Sequence, residues 1–204
     1  MFFENMNAGE ILTNVYGLIL SGGKSTRMGN DKGLIAYHGK PQREYLYELA
    51  SQFCDVVYYS ARENQLDSFT SKANVIVDRN EYRGPFNGIL SAHNKYPEVA
   101  WLVLACDLPL LNKQGLSELV EQRNTEKYAT AFSAKDSGLP EPLVAIWEPK
   151  ALIAAKNYLE TTKNSSPQKF LIDSDIQLVV SSSKEQLYNA NSMEDYQLIQ
   201  KKLA

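Results

Sequence analysis

Three short stretches carry residues whose types and spacing suit phosphate and metal chemistry. The first is Leu20-Ser21-Gly22-Gly23-Lys24-Ser25-Thr26-Arg27-Met28-Gly29-Asn30-Asp31-Lys32, directly after an apolar run. Paired glycines let backbone N–H groups approach a phosphate or a base edge with no side chain in the way. Arg27 and Lys32 can then set positive charge on the same anion. The second is Asp107, which closes Trp101-Leu102-Val103-Leu104-Ala105-Cys106, the most apolar run of the chain. Leu108-Pro109 ends that run at once, because a proline steers its predecessor away from helix. A carboxylate there, beside a phosphate loop, suits Mg²⁺, which takes one or two carboxylates plus phosphate oxygens and water. The third is Asp78, between Asn74-Val75-Ile76-Val77 and the turn Gly84-Pro85-Phe86-Asn87-Gly88. It is placed to accept hydrogen bonds from a base or sugar, or to steady a metal through water. Gly88 lets the following helix N-terminus come close to a ligand. Each acid also has a plainer reading: Asp107 as a turn or cap residue, Asp78 as a loop acid paired with Arg79 or Arg83.

Two familiar phosphate motifs do not fit the first stretch. A P-loop ending in Gly23-Lys24-Ser25 requires its first glycine at position 18, which is leucine; Gly17 comes one residue too early. A G-x-G-x-x-G dinucleotide fingerprint fails because Gly22 and Gly23 are adjacent and position 27 is arginine.

The elements that must position these residues alternate along the chain. Short apolar runs read as strands at Val15–Leu20, Val56–Tyr59, Val75–Val77, Val99–Ala105, Tyr128–Phe132, Leu143–Trp147 and Ile176–Val180. Several are continuously apolar, which predicts a sheet covered on both faces. Helical patterns fall at Gln42–Phe53, Asn87–Lys95, Lys113–Arg123, Pro149–Leu159 and Met193–Leu203. The β-α-β-α order predicts a single-domain, Rossmann-like three-layer α/β sandwich with a mostly parallel sheet. Ligands of such sheets sit beyond the carboxyl ends of the strands, here after Leu20, Tyr59, Val77 and Ala105. Residues 1–14 read as an N-terminal extension, and Thr161–Pro167 as a surface loop.

The whole chain sets bounds on function. Its 204 residues suit one domain, with 44% hydrophobic and 22% charged residues marking a globular protein. A formal net charge of −3 argues against a nucleic-acid binder. Cys54 and Cys106 are too few for a disulfide framework, no secretory leader is legible, and no apolar run is long enough to span a bilayer. The expectation is a cytoplasmic protein without a membrane partner. His38 and His93, away from any serine–aspartate or cysteine arrangement, read as surface or capping residues, and Cys106 as a small buried one.

With these residues in place, the chain resembles nucleotidyltransferases of the sugar-nucleotide-transferase-like α/β fold. More narrowly, it resembles the molybdenum cofactor guanylyltransferase family. Four landmarks carry the resemblance in order: Leu20 to Lys32, then Gly84-Pro85-Phe86-Asn87-Gly88-Ile89, Cys106-Asp107-Leu108-Pro109, and Asn189-Ala190-Asn191-Ser192-Met193-Glu194-Asp195. The resemblance implies that Leu20, Ser21, Gly22 and Gly23 meet a guanine nucleotide, largely through backbone groups, with Gly88 beside them. It implies that Lys32 and Arg27 hold phosphates, Asp78 contacts the nucleoside, and Asp107 binds both nucleotide and Mg²⁺. Asn189 and Asn191 would complete the acceptor side. The chain departs from the family pattern at Ser21, where alanine is usual, a small-for-small change of little expected consequence. Tyr59, followed by Ser60, stands where relatives often carry asparagine, and Met193 where proline is common. Glu141 lies in a Pro140-Glu141-Pro142-Leu143 segment on the acceptor side.

The implied reaction is transfer of GMP from GTP to the terminal phosphate of molybdopterin, releasing pyrophosphate. That phosphate is anionic at neutral pH, so no strong base is needed, and Lys32, Arg27 and Asp107 supply positioning and charge stabilisation. Molybdoenzymes or cofactor-delivery proteins are possible partners. The competing readings are a cytidylyltransferase or related small-molecule nucleotidyltransferase, and a GTP-binding delivery protein with no activity of its own.

Overall fold

The computed structural model describes residues 12–22, 32–69, 74–133 and 137–203. Seven strands form one sheet: β1 (Leu12–Leu20), β2 (Cys54–Ala61), β3 (Val75–Val77), β4 (Ala100–Ala105), β5 (Ala129–Ser133), β6 (Pro140–Trp147) and β7 (Gln177–Val180). Their order is β3-β2-β1-β4-β6-β5-β7. Neighbouring strands pair in parallel except at β6, which runs antiparallel to both β4 and β5. The helices are α1 (Gln42–Ala50), α2 (Pro85–Lys95), α3 (Lys113–Glu121), α4 (Pro149–Thr162), α5 (Pro167–Ile172) and α6 (Met193–Leu203).

The continuously apolar β4 explains the three layers. All six of its residues are buried. Leu102 and Leu104 join the core formed with Leu46 and Leu49 of α1 and Leu116 and Leu119 of α3. Trp101 and Val103 face the other way, onto Phe86, Ile89 and Leu90 of α2 and Leu152 of α4. Alternate residues of one strand therefore anchor opposite layers.

The structure corrects the expected elements in several places. β6 runs against both of its neighbours in the expected mostly parallel sheet, and an antiparallel pair needs no helical crossover. As a result β6 begins at the edge of the sheet where β4 and β5 end, and this brings Glu141 to the ligand side. α1 stops at Ala50, with Phe53 N–H donating to the Ala50 carbonyl in a tightened last turn. The expected loop at Thr161–Pro167 is shorter: α4 runs on to Thr162 and ends where Lys163 adopts the left-handed conformation at φ 55°. Ser166 then caps the unforeseen α5, accepting from Lys169 N–H, with Pro167 in its first turn. Phe170 of α5 stacks on Trp147 at 5.9 Å and fixes the helix to the sheet. β1 begins at Leu12 rather than Val15, and β2 continues to Ala61, two residues past its expected end. Among the described residues, no helix is long and apolar enough to cross a membrane.

Candidate nucleotide site

A cavity of about 620 Å³ opens along the carboxyl ends of β1, β2, β3 and β4. Leu20, Ser21, Gly22, Lys32, Asp78, Gly88 and Asp107 all line it. Gly23 and Arg27 lie outside the described residues. Ser60, Arg62, Tyr82, Arg83 and Leu143 line the cavity as well and were not singled out as binding residues from sequence. Ser60 follows Tyr59, where the strand pattern expects ligand residues, whereas Arg62 stands further on because β2 continues to Ala61.

At the β1–β2–β3 end the groups are locked to one another. Ser21 N–H donates to the Ser60 carbonyl at 2.9 Å, and the Ser21 carbonyl accepts from Gln65 Nε2 at 2.9 Å. Both backbone groups expected to meet a nucleotide thus already have protein partners. The Ser21 hydroxyl, the departure from alanine, is buried without a hydrogen-bond partner among the described residues. Asp78 N–H donates to the Ala61 carbonyl at 2.8 Å, and its Oδ1 accepts from Ser60 Oγ at 2.6 Å. Burial pushes the Asp78 carboxyl above its usual range, opposed by the Ser60 hydrogen bond, the Arg62 charge and Asn87.

The glycines follow from this packing. A Cβ on Gly22 would overlap the Asp78 carboxylate, and one on Gly88 would overlap the Ser60 hydroxyl while reaching 3.0 Å from Leu20 Cδ2. Gly88 thus gives room first to the Ser60–Leu20 packing. Gly84 caps α2 at φ 64°, ψ −153°, backbone that side-chain-bearing residues rarely adopt. Tyr59 points away from the cavity, stacking on Tyr47 at 5.0 Å and against Phe69. Of the Tyr59–Ser60 pair, only Ser60 lines it.

The β4 end is assembled through charge. Asp107 is half-buried, and burial raises its carboxyl while the Lys32 charge lowers it. Lys32 Nζ donates to the Ala190 carbonyl at 2.9 Å and to Asn191 Oδ1 at 2.8 Å. Ala190 N–H in turn donates to the Asp107 carbonyl at 2.8 Å. Lys32, Asp107 and Asn191, separated by up to 159 residues, therefore form one connected group. Asp195 fastens the segment by accepting from the backbone of Asn191 and Ser192; Tyr188 and these donors hold its carboxyl down at about 2. Asn189 and Asn191 are both exposed and neither lines the cavity; Asn191 reaches it only through Lys32.

Glu141 belongs beside this group. Glu141 lies in β6 three residues before Val144, the partner of Leu104, and close enough to feel the Asp107 charge, although it does not itself line the cavity. Burial lifts the Glu141 carboxyl, the Leu143 N–H bonded to it lowers it, and the Asp107 charge raises it further. Among the described residues no group of three or more His, Cys, Asp or Glu could hold a metal. Mg²⁺ needs only one or two carboxylates when phosphates and water complete its shell. A desolvated Asp107 with a second acid alongside is a donor set that fits it.

Neither histidine takes part. His38 Nε2 lies 2.8 Å from the Pro109 carbonyl, and its ring stacks on Tyr45 at 3.7 Å. His93 is no surface residue: it is buried on α2, its Nδ1 lacks a hydrogen-bond partner, and burial pushes its pKa down to about 4. Cys106 is buried and lines the cavity.

Comparison with known proteins converges on one kind of protein. A family model described as the MobA-like NTP transferase domain matches residues 17–184. A molybdenum cofactor biosynthesis bifunctional protein of Synechocystis is 40% identical over 186 residues, covering 90% of this chain and 53% of its own length. The chain thus spans about half of that relative. A molybdenum cofactor guanylyltransferase of Yersinia pestis is 34% identical over 93% of this chain and 96% of its own. Among solved structures, molybdopterin-guanine dinucleotide biosynthesis protein A of Archaeoglobus fulgidus superposes with a TM-score of 0.75 at 20% identity, covering 92% of this chain and 98% of that one. A CMP:2-keto-3-deoxy-manno-octonic acid synthetase complexed with CTP superposes at 0.71 and 15% identity, covering 94% and 98%. These two likenesses are of fold.

Proposed function

Because the chain belongs to the MobA-like NTP transferase family, we propose that it transfers GMP from GTP to the terminal phosphate of molybdopterin. An oxygen of the acceptor phosphate attacks the α-phosphorus of GTP. The bond from that phosphorus to the bridging α–β oxygen breaks, and the electron pair leaves with pyrophosphate. The products are a phosphoanhydride-linked guanine dinucleotide and pyrophosphate.

The observation that carries this reading is the junction of Lys32, Asp107 and Asn191 at one end of a cavity whose other end is lined by Ser60, Arg62 and Asp78. A triphosphate laid toward Lys32 gains a cation whose hydrogen-bond partners, the Ala190 carbonyl and Asn191 Oδ1, are neutral oxygens that phosphate can replace. Asp107, supported by Glu141, would hold Mg²⁺. When bound, that ion supplies charge neutralisation on the phosphates. Lys32 positions the leaving pyrophosphate and Asn191 orients Lys32. Glu141 and the 189–191 segment border the acceptor. No side chain has to remove a proton, in keeping with a site that has no histidine among its lining residues. Partners that supply or receive the cofactor, and a cytoplasmic location, belong to the same proposal.

The test is to incubate the purified protein with Mg²⁺, molybdopterin and either GTP or CTP, and to weigh the pterin product. A guanylylated pterin with stoichiometric pyrophosphate supports the reading. A cytidylylated product, or GTP binding with no product, replaces it.

A further inference from the structure

Base choice has a candidate in this cavity that lies apart from the phosphate-holding residues. With the triphosphate at the Lys32–Asp107 end, the base falls at the ends of β2 and β3. Arg62 stands there, directly after the last residue of β2. Its backbone N–H donates to Gln65 Oε1 at 3.0 Å, and its Nε lies 3.4 Å from the same oxygen. Gln65 is itself anchored by donating to the Ser21 carbonyl at 2.9 Å. The guanidinium is thus tethered at its inner nitrogen, next to the cavity, with its two outer nitrogens at the far end of the fork. Arg83, also on the rim, is exposed. The Arg62 charge acts on Asp78, so a donor fork and an acceptor carboxylate sit side by side.

Guanine presents O6 and N7 as adjacent acceptors that match a planar guanidinium, and next to O6 it presents N1–H and N2–H to an acceptor. Cytosine and adenine place an exocyclic amino donor where guanine has O6, and a guanidinium meeting that donor is repelled. We propose that Arg62, oriented by Gln65, is the specificity-determining residue of this site, reading the O6/N7 edge of guanine against cytosine and adenine. The proposal rests on the GTP-dependent reading above.

The test is calorimetric binding of GTP, 7-deaza-GTP, CTP and ATP, with Mg²⁺, to the full chain and to Arg62→Ala and Arg62→Lys, each checked for unchanged Tm. Arg62→Ala should weaken GTP by about 5- to 150-fold, the worth of a bidentate base contact, and leave CTP and ATP nearly unaltered. Arg62→Lys keeps the charge but loses the fork, so it should lose most of the preference too. Removing N7 should weaken binding to the unaltered protein and make no difference to Arg62→Ala. A variant that still prefers GTP, or that loses all nucleotides equally, overturns the role of Arg62 and leaves the transferase reading intact. An unaltered protein that prefers CTP overturns both.

Discussion

The two ends of the cavity hold their carboxylates by different means. Asp78 is caged by groups at the ends of two other strands: Ser60 Oγ on one oxygen, the Ala61 carbonyl on its own N–H, and Gly22 packed against it. Asp107 has no such cage. The Lys32 charge acts on it, and Lys32 is held by Ala190 and Asn191 far along the chain. Hydrogen bonds fix a geometry, whereas an uncaged, partly desolvated charge attracts a cation. Under the proposed function, the Asp78 end presents a shape to a nucleoside and the Asp107 end takes charge from phosphate and metal.

This contrast predicts that changes at the Asp107 end remove turnover and changes at the Asp78 end remove binding or stability. The largest effect is expected from Asp107→Ala. Losing several kcal/mol of charge stabilisation should lower pyrophosphate release by about a hundredfold or more, with an unfolding transition no lower than that of the parent, since a half-buried charge is removed. Near-parental activity would place the metal elsewhere. Lys32→Ala comes next, with a loss of about 10- to 100-fold in kcat/KM for GTP, as for a charge-assisted hydrogen bond. Asn191→Ala, which leaves the lysine but frees its direction, should lose less, and an equal loss would make Asn191 a substrate contact in its own right.

At the other end, Gly88→Ala forces a methyl group onto Ser60 and should destabilise by about 1–3 kcal/mol, read as a fall in Tm. Ser60→Gly in the same chain should restore part of it, since the new methyl meets Ser60 Oγ and Cβ as well as Leu20 Cδ2, while the hydrogen bond to Asp78 is lost. The smallest effects are in pH dependence, and they run in opposite directions. Asp78 has a raised pKa when folded, so its contribution to stability is fully present below the unfolded value near 3.8 and is lost as pH rises through the folded one. Asp78→Asn should flatten that slope. His93, held near 4 against an unfolded value of 6.5, contributes stability that is lost as pH falls from 6.5 to 4. His93→Leu should shift acid unfolding to lower pH; an unchanged profile would mean that the imidazole finds a partner on protonation.

The sandwich was legible in the sequence because β4 and its neighbours are apolar without alternation, a pattern that only a doubly covered sheet explains. The reversed direction of β6 was not. Leu143–Trp147 reads the same in either orientation, and strand polarity depends on the length of the connection. Leu20, Ser21, Gly22 and both acids are legible as cavity-lining residues because they stand at the carboxyl ends of strands, where the ligand side of such a sheet lies. Arg62 and Gln65 were hidden, since their roles arise from a hydrogen bond to Ser21 that spans 44 residues. His93 misled because a histidine on a helix looks polar until the helix is packed. Lys32 was picked as a phosphate ligand, but its tie to Asn191 joins the two ends of the chain and leaves no local trace.

The most direct test is a structure of the protein with Mg²⁺ and a GTP analogue blocked at the α–β bridge. The account predicts phosphate oxygens within hydrogen-bonding distance of Lys32 Nζ, the metal on Asp107, and the base at the Asp78 end. A triphosphate lying at the Asp78 end, or outside the cavity, would contradict it.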